Sequence, residues 1–152
     1  SMNKQMNLSF FSDELKEVKT HKREFLEQIE RIMPWGELEE LVRPCYYEGK
    51  RGNKPYDLEL MLRIHLLQNL YDLSDEGTRN EVIDSRAFSD FCGVESSNQI
   101  PDGDTIGRFR NLLINNHLHE KFFALVVKTL TDRGLILKKG TIVDSTIIEA
   151  PS

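Results

Sequence analysis

The sequence contains little cysteine and no long apolar run. Its 152 residues include 2 cysteines, Cys45 and Cys92, which lie far apart and form no CxxC pair. This spacing fits reduced thiols better than a disulfide framework or a zinc site. No apolar run approaches about 18 residues, and no basic N-terminal region precedes an apolar stretch. We therefore predict neither a membrane span nor a secretory signal, and we expect a cytoplasmic protein without a membrane partner.

The sequence also lacks an excess of positive charge, which at first argues against a nucleic-acid partner. Its formal net charge is −5. The segment 72–95 holds seven acidic residues against Arg79 and Arg86, so it carries that entire charge and the remainder of the chain is neutral. Two basic stretches remain, at 43–54 and at 128–139, and each either touches phosphates or forms a solvated face.

The pattern of the chain is helical until residue 140, and Gly134 ends the last predicted helix. Apolar residues recur on one side of residues 25–33, which predicts an amphipathic helix that Pro34 ends. Residues 58–71 are apolar on most sides, which predicts the most buried helix of the fold. Turn-forming residues at 46–55 and 93–104 predict linkers. We interpret the chain as a single, mainly α-helical domain.

The stretch "IPDGDTIGRFRNLL" predicts a helix with two chemically different faces. At about 100° per residue, Ile106, Phe109 and Leu113 share one face, and Arg110 lies near it. Arg110 should therefore be partly buried and paired with a carboxylate. The opposite face carries side chains that can reach bases or phosphates. These are Arg108, Asn111 and Asn115.

A second short helix, predicted at "YDLSDEGTRNEVID", precedes this one. The two would form a helix-turn-helix, although many helical bundles show the same pattern. Ser74 is expected to cap the earlier helix, because its hydroxyl can accept a hydrogen bond from the first turn.

The C-terminal stretch "GTIVDSTIIEAPS" contains a dense run of β-branched residues, which is typical of a strand. Asp144 lies in its middle, and a buried, unpaired carboxylate costs several kcal/mol. Either a cation, a metal or hydrogen-bond donors accompany Asp144 on the strand, or the strand stops at Val143 and Asp144 caps a turn with Ser145.

The histidines do not form a metal site by spacing. His117 and His119 would project about 200° apart on a helix, so a shared metal ion is not expected. His65 lies within the predicted buried helix and is interpreted as a core histidine with satisfied hydrogen bonds. Trp35 is interpreted as a core residue or as a packing anchor between helices.

Three motifs in order resemble the N-terminal part of bacterial insertion-sequence transposases of group five, which carry a DDE, RNase H-like catalytic domain. The motifs are "RIHLLQNLYDLSDEGTRNEVIDSRAFSDFCGV", "IPDGDTIGRFRNLL" and "GTIVDSTIIEAPS". The resemblance covers roughly residues 35 to 152. It implies a helical bundle that binds DNA, residues 1–139, followed by the first strand of an RNase H-like domain, residues 140–152.

The same resemblance assigns roles to individual residues. It implies that Asp144 is the first catalytic carboxylate and a ligand of Mg²⁺, since a DDE site holds two divalent ions with three carboxylates. It implies DNA at the transposon's terminal inverted repeats as the partner, and we expect a homodimer. The candidate DNA-binding residues are Arg108, Asn111, Asn115, Arg43, Lys50, Arg51 and Lys54.

Two expectations follow for this chain. The second Asp and the Glu of the family lie downstream of the third motif, so the chain alone should neither cleave nor join DNA, and Mg²⁺ would act only in the complete enzyme. Residues 141–148 should either pair with another chain or be the least ordered part. The alternative function is a non-catalytic helical module, derived from a transposase, for protein interaction or dimerisation.

Overall fold

The computed structural model describes residues 19–47, 56–136 and 148–149. This part of the chain is mainly α-helical, as the periodicity predicts. Its helices, in chain order, are α1 (His21–Ile32), α2 (Trp35–Tyr47), α3 (Leu58–Leu70), α4 (Asp75–Asp84), α5 (Arg86–Cys92), α6 (Gly103–Asn115) and α7 (His119–Asp132), with a 3₁₀ turn at Ser97–Gln99 between α5 and α6.

Helix α3 lies at the centre of the core, which confirms the prediction from its apolar residues. It contacts α2, α4, α5 and α6. Leu62, Leu66, Leu67 and Leu70 are fully buried. Burial of one such side chain stabilises the fold by roughly 1.5–3 kcal/mol, so α3 is the element on which the other helices assemble.

Short polar side chains cap the N-termini of α4 and α6 and so define where these helices begin. Ser74 accepts a hydrogen bond from the Gly77 N–H at 2.9 Å, and Asp102 accepts one from the Thr105 N–H at 2.8 Å. Each satisfies a donor that the first helical turn leaves without a partner. At the other end of the bundle, α7 stops just before Gly134, which adopts a φ of 77°. A left-handed residue of this kind is typically glycine, which explains why the helix ends there.

Two parts of the fold differ from the sequence reading. Helix α2 includes Pro44 and part of the stretch 46–55, so the first predicted linker begins inside a helix. The second, 93–104, contains the 3₁₀ turn, the start of α6 and the buried side chains of Val94 and Ile100. It is therefore part of the core and not a free linker, because its apolar residues pack on the bundle although turn-forming residues surround them.

A two-residue antiparallel ladder follows α7. Strand β1 (Leu135–Ile136) pairs with β2 (Ile148–Glu149), and Leu135 lies opposite Glu149. Ile148, the last residue of the predicted strand 141–148, therefore pairs within the same chain and not with another one. Residues 137–147 lie outside the described residues, so the strand around Asp144 and the domain boundary at 139 stay predictions.

None of the helices within the described ranges is both long enough and apolar enough to cross a lipid bilayer.

Candidate nucleic-acid interface

Helix α6 has the two faces that the sequence predicts. Ile106, Phe109 and Leu113 are buried, with at most 5% of any of these residues exposed. Arg108, Asn111 and Asn115 are exposed, together with Asp104. The 3.6-residue period of the helix brings these four polar side chains into one outward stripe. We call the stripe of Asp104, Arg108, Asn111 and Asn115 the polar face of α6.

Arg110 joins α6 to the start of α4, which confirms that it is partly buried and paired with a carboxylate. Its Nε donates to Asp75 Oδ1 at 3.1 Å, and its Nη2 donates to Asp75 Oδ2 at 2.8 Å. The hydrogen bonds from Arg110 hold the pKa of Asp75 below its ordinary value of 3.8. This two-pronged contact fixes the rotation of α6 about its axis, because both hydrogen bonds need one orientation of the guanidinium.

The same guanidinium reaches the polar face. Arg110 Nη1 donates to Asn111 Oδ1 at 3.3 Å. This hydrogen bond uses one of the two lone pairs of the Asn111 amide oxygen, so the second lone pair and the Nδ2 group are left for an outward contact. Asp75, Arg110 and Asn111 therefore form a chain of hydrogen bonds that orients one polar side chain of the exposed stripe.

Two glycines allow α4 and α6 to approach each other. A Cβ atom at Gly107 would lie 2.8 Å from Asp75 Oδ2, and a Cβ atom at Gly103 would collide with the Glu76 carboxylate. Asp75 is held by Arg110, whereas Glu76 is exposed. Gly107 is therefore the position where a side chain would directly disturb the orientation of the polar face.

Two cations flank the N-terminus of α6. Hydrogen bonds from Thr105, with the nearby charges of Arg108 and Arg79, keep the pKa of the Asp102 carboxyl below its ordinary value. Arg108 also donates to the Thr105 hydroxyl at 3.2 Å. Arg79 lies on α4, and within the described residues no acidic side chain forms an ion pair with it. Arg79 is not distinguishable as a DNA-binding candidate in the sequence, because it lies in the acidic segment 72–95.

Of the other DNA-binding candidates, only Arg43 lies within the described residues. Arg43 is exposed on α2 and lies 3.5 Å from Glu39. Lys50, Arg51 and Lys54 lie outside the described residues, as does Asp144. Helix α5 and the 3₁₀ turn separate α4 from α6 in the chain, and a helix-turn-helix is not shown.

The buried histidine differs in one respect from its prediction. His65 is 2% exposed, which confirms its core position. Its ring makes edge contacts with Phe109, Phe122 and His119, and its Nε2 lies 3.2 Å from Asn69 Nδ2. Its Nδ1 has no hydrogen-bond partner among the described residues, so its hydrogen bonds are only half satisfied. Burial above all, then the charges of His119 and Arg110, lowers the pKa of His65 to about 3.

A buried arginine on α3 was missed by the sequence reading. Arg63 donates to both carboxylate oxygens of Glu30 and to Glu59 Oε1 at 3.2 Å. Its guanidinium carbon lies 4.2 Å from the Trp35 ring centroid and 5.4 Å from that of Phe91. Trp35 of α2, predicted to anchor helices, thus contacts Arg63 of α3. The sequence does not mark Arg63 as buried, since Glu30 and the rings of Trp35 and Phe91 reach it only through tertiary packing.

The remaining chemistry of the described residues is limited. Within residues 19–47, 56–136 and 148–149, no group of three His, Cys, Asp or Glu side chains could hold a metal ion. Both cysteines are free thiols, and burial raises the pKa of Cys92 to about 12. We therefore take the exposed charged and polar side chains of this part of the chain as the candidate ligand-binding features.

Comparison with known proteins assigns the chain to a family. A family model described as a transposase domain (DUF772) matches residues 13–112. The matched range contains Arg108 and Asn111 and ends before Asn115 and Asp144. No solved structure matches the chain. Because the match spans more than half of the 152 residues, the chain belongs to the transposase-domain family.

Proposed function

We propose that this chain is the N-terminal region of a DDE transposase and that it binds the DNA ends of an insertion sequence through the polar face of α6. The observation that carries the proposal is this exposed, oriented stripe in a chain of the transposase-domain family. Asparagine can form two hydrogen bonds with adenine, and arginine binds guanine or phosphate. Asn111 would read a base while Arg108 and Arg79 contact phosphates.

The catalytic part of the proposal concerns Asp144. The third motif of the sequence supports its role as the first of three carboxylates that bind Mg²⁺. When bound, a pair of such ions activates the attacking oxygen and stabilises the leaving one. Asp144 would hold its share of the metal from a strand, whose rigidity fixes the ligand geometry. The proposed enzyme is a homodimer in the cytoplasm, and the free thiols of Cys45 and Cys92 fit a reducing compartment.

Binding to DNA is tested with labelled duplexes that carry the terminal inverted repeats flanking the gene. Fluorescence anisotropy at several salt concentrations gives the affinity and its salt dependence. Arg108→Ala should weaken binding and lower the slope of log K against log salt by about one, because one phosphate contact is lost. Arg86→Ala is the matched control, since Arg86 is also exposed and its removal changes the net charge equally. Equal effects of the two substitutions would contradict the assignment of α6.

Base recognition is tested separately from phosphate binding. Asn111→Ala should reduce the preference for the terminal repeat over a scrambled duplex by about tenfold, which corresponds to the loss of one bidentate base contact. The affinity for the scrambled duplex should stay unchanged. A uniform loss for both duplexes would show that Asn111 contacts the DNA backbone and does not read a base.

The catalytic assignment is tested in the complete transposase. Asp144→Ala should abolish Mg²⁺-dependent strand cleavage and leave binding to the terminal repeat intact. The chain 1–152 alone should neither nick nor join DNA with Mg²⁺ or Mn²⁺. Cleavage by the isolated chain, or loss of both activities on substitution, would show that Asp144 has a different role.

A second candidate function, a helical module for protein interaction, is supported by the acidic segment 72–95. Its exposed acids would repel DNA and attract a basic protein. The two candidates are separated by the anisotropy measurement at low salt. An affinity for the terminal repeat no higher than that for a scrambled duplex would favour the interaction module.

A further inference from the structure

Helix α6 exposes a large apolar side chain beside its polar face. Ile114 is 45% exposed, the largest exposed fraction among the large hydrophobic residues that the structure describes. Single exposed isoleucines are common on protein surfaces, so the position of Ile114 matters more than its exposure. It lies in the last turn of α6, one position before Asn115.

The helical period makes Ile114 a surface neighbour of Asn111. Residues three positions apart on a helix have Cβ atoms about 5–6 Å apart. At about 100° per residue, Ile114 lies about 60° from Asn111 around the helix axis, on the side of Arg110. The hydrogen bonds from Arg110 to Asp75 fix the rotation of α6, so they also fix the direction in which Ile114 projects. Ile114 therefore gives the polar face of α6 an apolar border.

The side chain of Ile114 is suited to a contact of defined shape. A β-branched residue in a helix has one strongly preferred χ1 rotamer, so its methyl groups are placed even without a partner. Little side-chain freedom is then lost on binding. Because these methyl groups form no hydrogen bond, Ile114 would gain binding energy only against an apolar group of the DNA.

The base edges of the major groove offer one apolar group, the C5-methyl group of thymine. Adenine, the base assigned to Asn111, presents a nitrogen acceptor and an amino donor instead. Asn111 and Ile114 are separated by about 4.5 Å along the helix axis, and successive base pairs by about 3.4 Å. Two side chains at this separation reach the same or neighbouring base pairs.

We infer that Ile114 is a specificity-determining residue that contacts the C5-methyl group of a thymine within one base pair of the adenine bound by Asn111. The inference rests on the proposed function and adds the base that the apolar border of α6 selects. Cytosine at that position would lack the methyl group and would present an amino group that Ile114 cannot satisfy. Helix α6 would thus read adenine and thymine with adjacent side chains.

The test removes one methyl group of the DNA at a time. Each thymine of the terminal repeat is replaced in turn by uracil, which keeps the base pair and lacks only the C5-methyl group. Fluorescence anisotropy gives the affinity of the parent chain and of Ile114→Ala for each duplex. One uracil should weaken binding of the parent chain about fourfold, as expected for one buried methyl group. The same uracil should leave binding of Ile114→Ala unchanged, because the two methyl-bearing partners form one coupled contact.

Ile83→Ala is the matched control. Ile83 is also an exposed isoleucine, at 39%, and it lies near the C-terminus of α4. Its substitution removes the same atoms and should leave both the affinity and the effect of each uracil unchanged. Thermal denaturation should give about the same stability for the two alanine variants, since both side chains are exposed. Ile114→Val keeps the β-branched methyl groups and should keep most of the uracil effect.

Three results would overturn the inference while DNA binding through α6 stands. In the first, the chain prefers the terminal repeat to a scrambled duplex, but no uracil weakens binding. In the second, the uracil effect persists in Ile114→Ala, which would assign the methyl contact to another residue. In the third, Ile83→Ala weakens binding as much as Ile114→Ala does. A chain without any preference for the terminal repeat would instead contradict the proposed function, and this inference with it.

Discussion

Two arginine clusters lie at different places along the central helix, and they are built in opposite ways. Arg63 has a side chain that is 10% exposed, and its acidic partners Glu30 and Glu59 are 44% and 60% exposed. In the other cluster, Arg110 and Asp75 are about equally accessible, at 36% and 28%. The first cluster buries the cation and leaves its acids in solvent, whereas the second shares partial burial between both charges.

The two clusters therefore differ in whether packing or charge pairing is their main contribution to stability. The Arg63 guanidinium lies against Trp35 and Phe91 and donates to the Phe91 carbonyl oxygen at 3.2 Å. Its acids are well solvated, so they lose little when the cation is removed. Arg110 instead stabilises a carboxylate that also accepts from Gln68. We therefore expect substitutions at Arg63 to act through lost packing and substitutions at Arg110 to act through the lost charge.

The largest expected effect is that of Arg63→Ala. It should lower the free energy of unfolding by about 3 kcal/mol, because it removes packing against two aromatic rings and leaves the Phe91 carbonyl without its donor. Urea denaturation followed by circular dichroism measures the change. Arg63→Met keeps most of the packing volume and should cost clearly less. If both substitutions cost the same, charge and not packing dominates this cluster.

His65 lies on α3 between the two clusters and should make the fold sensitive to acid. Its folded pKa of about 3 is far below its ordinary value of 6.5, so the unfolded chain binds a proton first as the pH falls. The stabilisation that depends on a neutral His65 is complete above pH 6.5 and is lost as the pH falls toward 3. The free energy of unfolding should therefore fall by roughly 1.4 kcal/mol per unit between pH 6.5 and 4.5.

The pH dependence is assigned by two variants in the same denaturation experiment. His65→Phe should remove most of the slope between pH 6.5 and 4.5, since phenylalanine fits among the rings of Phe109 and Phe122 without titrating. His117→Asn is the control, because His117 is exposed and its φ of 58° suits asparagine. A slope that persists in His65→Phe would assign the acid sensitivity to other groups.

A smaller effect is expected from alanine at the glycines of α6. Gly107→Ala should destabilise the fold by about 1.5 kcal/mol, because its Cβ would displace an Asp75 carboxylate that Arg110 and Gln68 hold. Gly103→Ala should change the stability little, since the exposed Glu76 side chain can rotate away. Helix propensity alone would predict a gain of about 1 kcal/mol for Gly107→Ala. Thermal denaturation of both variants distinguishes the two expectations.

The smallest expected effect is that of Arg110→Ala, about 1 kcal/mol at neutral pH, because the charge pair is partly exposed. The folded pKa of Asp75 is depressed, so the stabilisation is present above the ordinary value of 3.8 and is lost as the pH falls through the lower folded value. The difference between the parent chain and the variant should therefore shrink below about pH 4. A difference that stays constant in acid would mean that Arg110 stabilises the fold by packing.

The faces of α6 were predictable because they depend only on the helical period. As a rotation of about 100° per residue predicts, Ile106, Phe109 and Leu113 face the core, and Arg110 lies at the border between the buried and the exposed face. The partner of Arg110 was not predictable, since Asp75 lies 35 positions earlier and reaches it only through tertiary packing. The end of helix α2 differed for a related reason, because the turn-forming residues at 46–55 predict a linker although packing on α3 and α6 stabilises the helix up to Tyr47.

In the candidate site, too, features that depend on the helical period were predictable and tertiary contacts were not. Exposure of Arg108, Asn111 and Asn115 followed from sequence spacing, whereas the hydrogen bond that orients Asn111 did not. Arg79 was not distinguished from the acids around it in the chain, and only the fold brings its charge near enough to help lower the pKa of Asp102. The assignments of Asp144, Lys50, Arg51 and Lys54 depend on motifs or composition alone, and these residues lie outside the described part of the chain.

The position of Trp35 gives the protein a built-in optical reporter. It is the only tryptophan of the chain, and its ring centroid lies 5.9 Å from that of Phe91 and 4.2 Å from the Arg63 guanidinium carbon. Its emission therefore senses the junction of α1, α2, α3 and α5 and not the contact between α4 and α6. Unfolding can therefore be followed without any label attached to the chain. If the Trp35 emission changes before the helical circular dichroism signal does, the Arg63 cluster opens first.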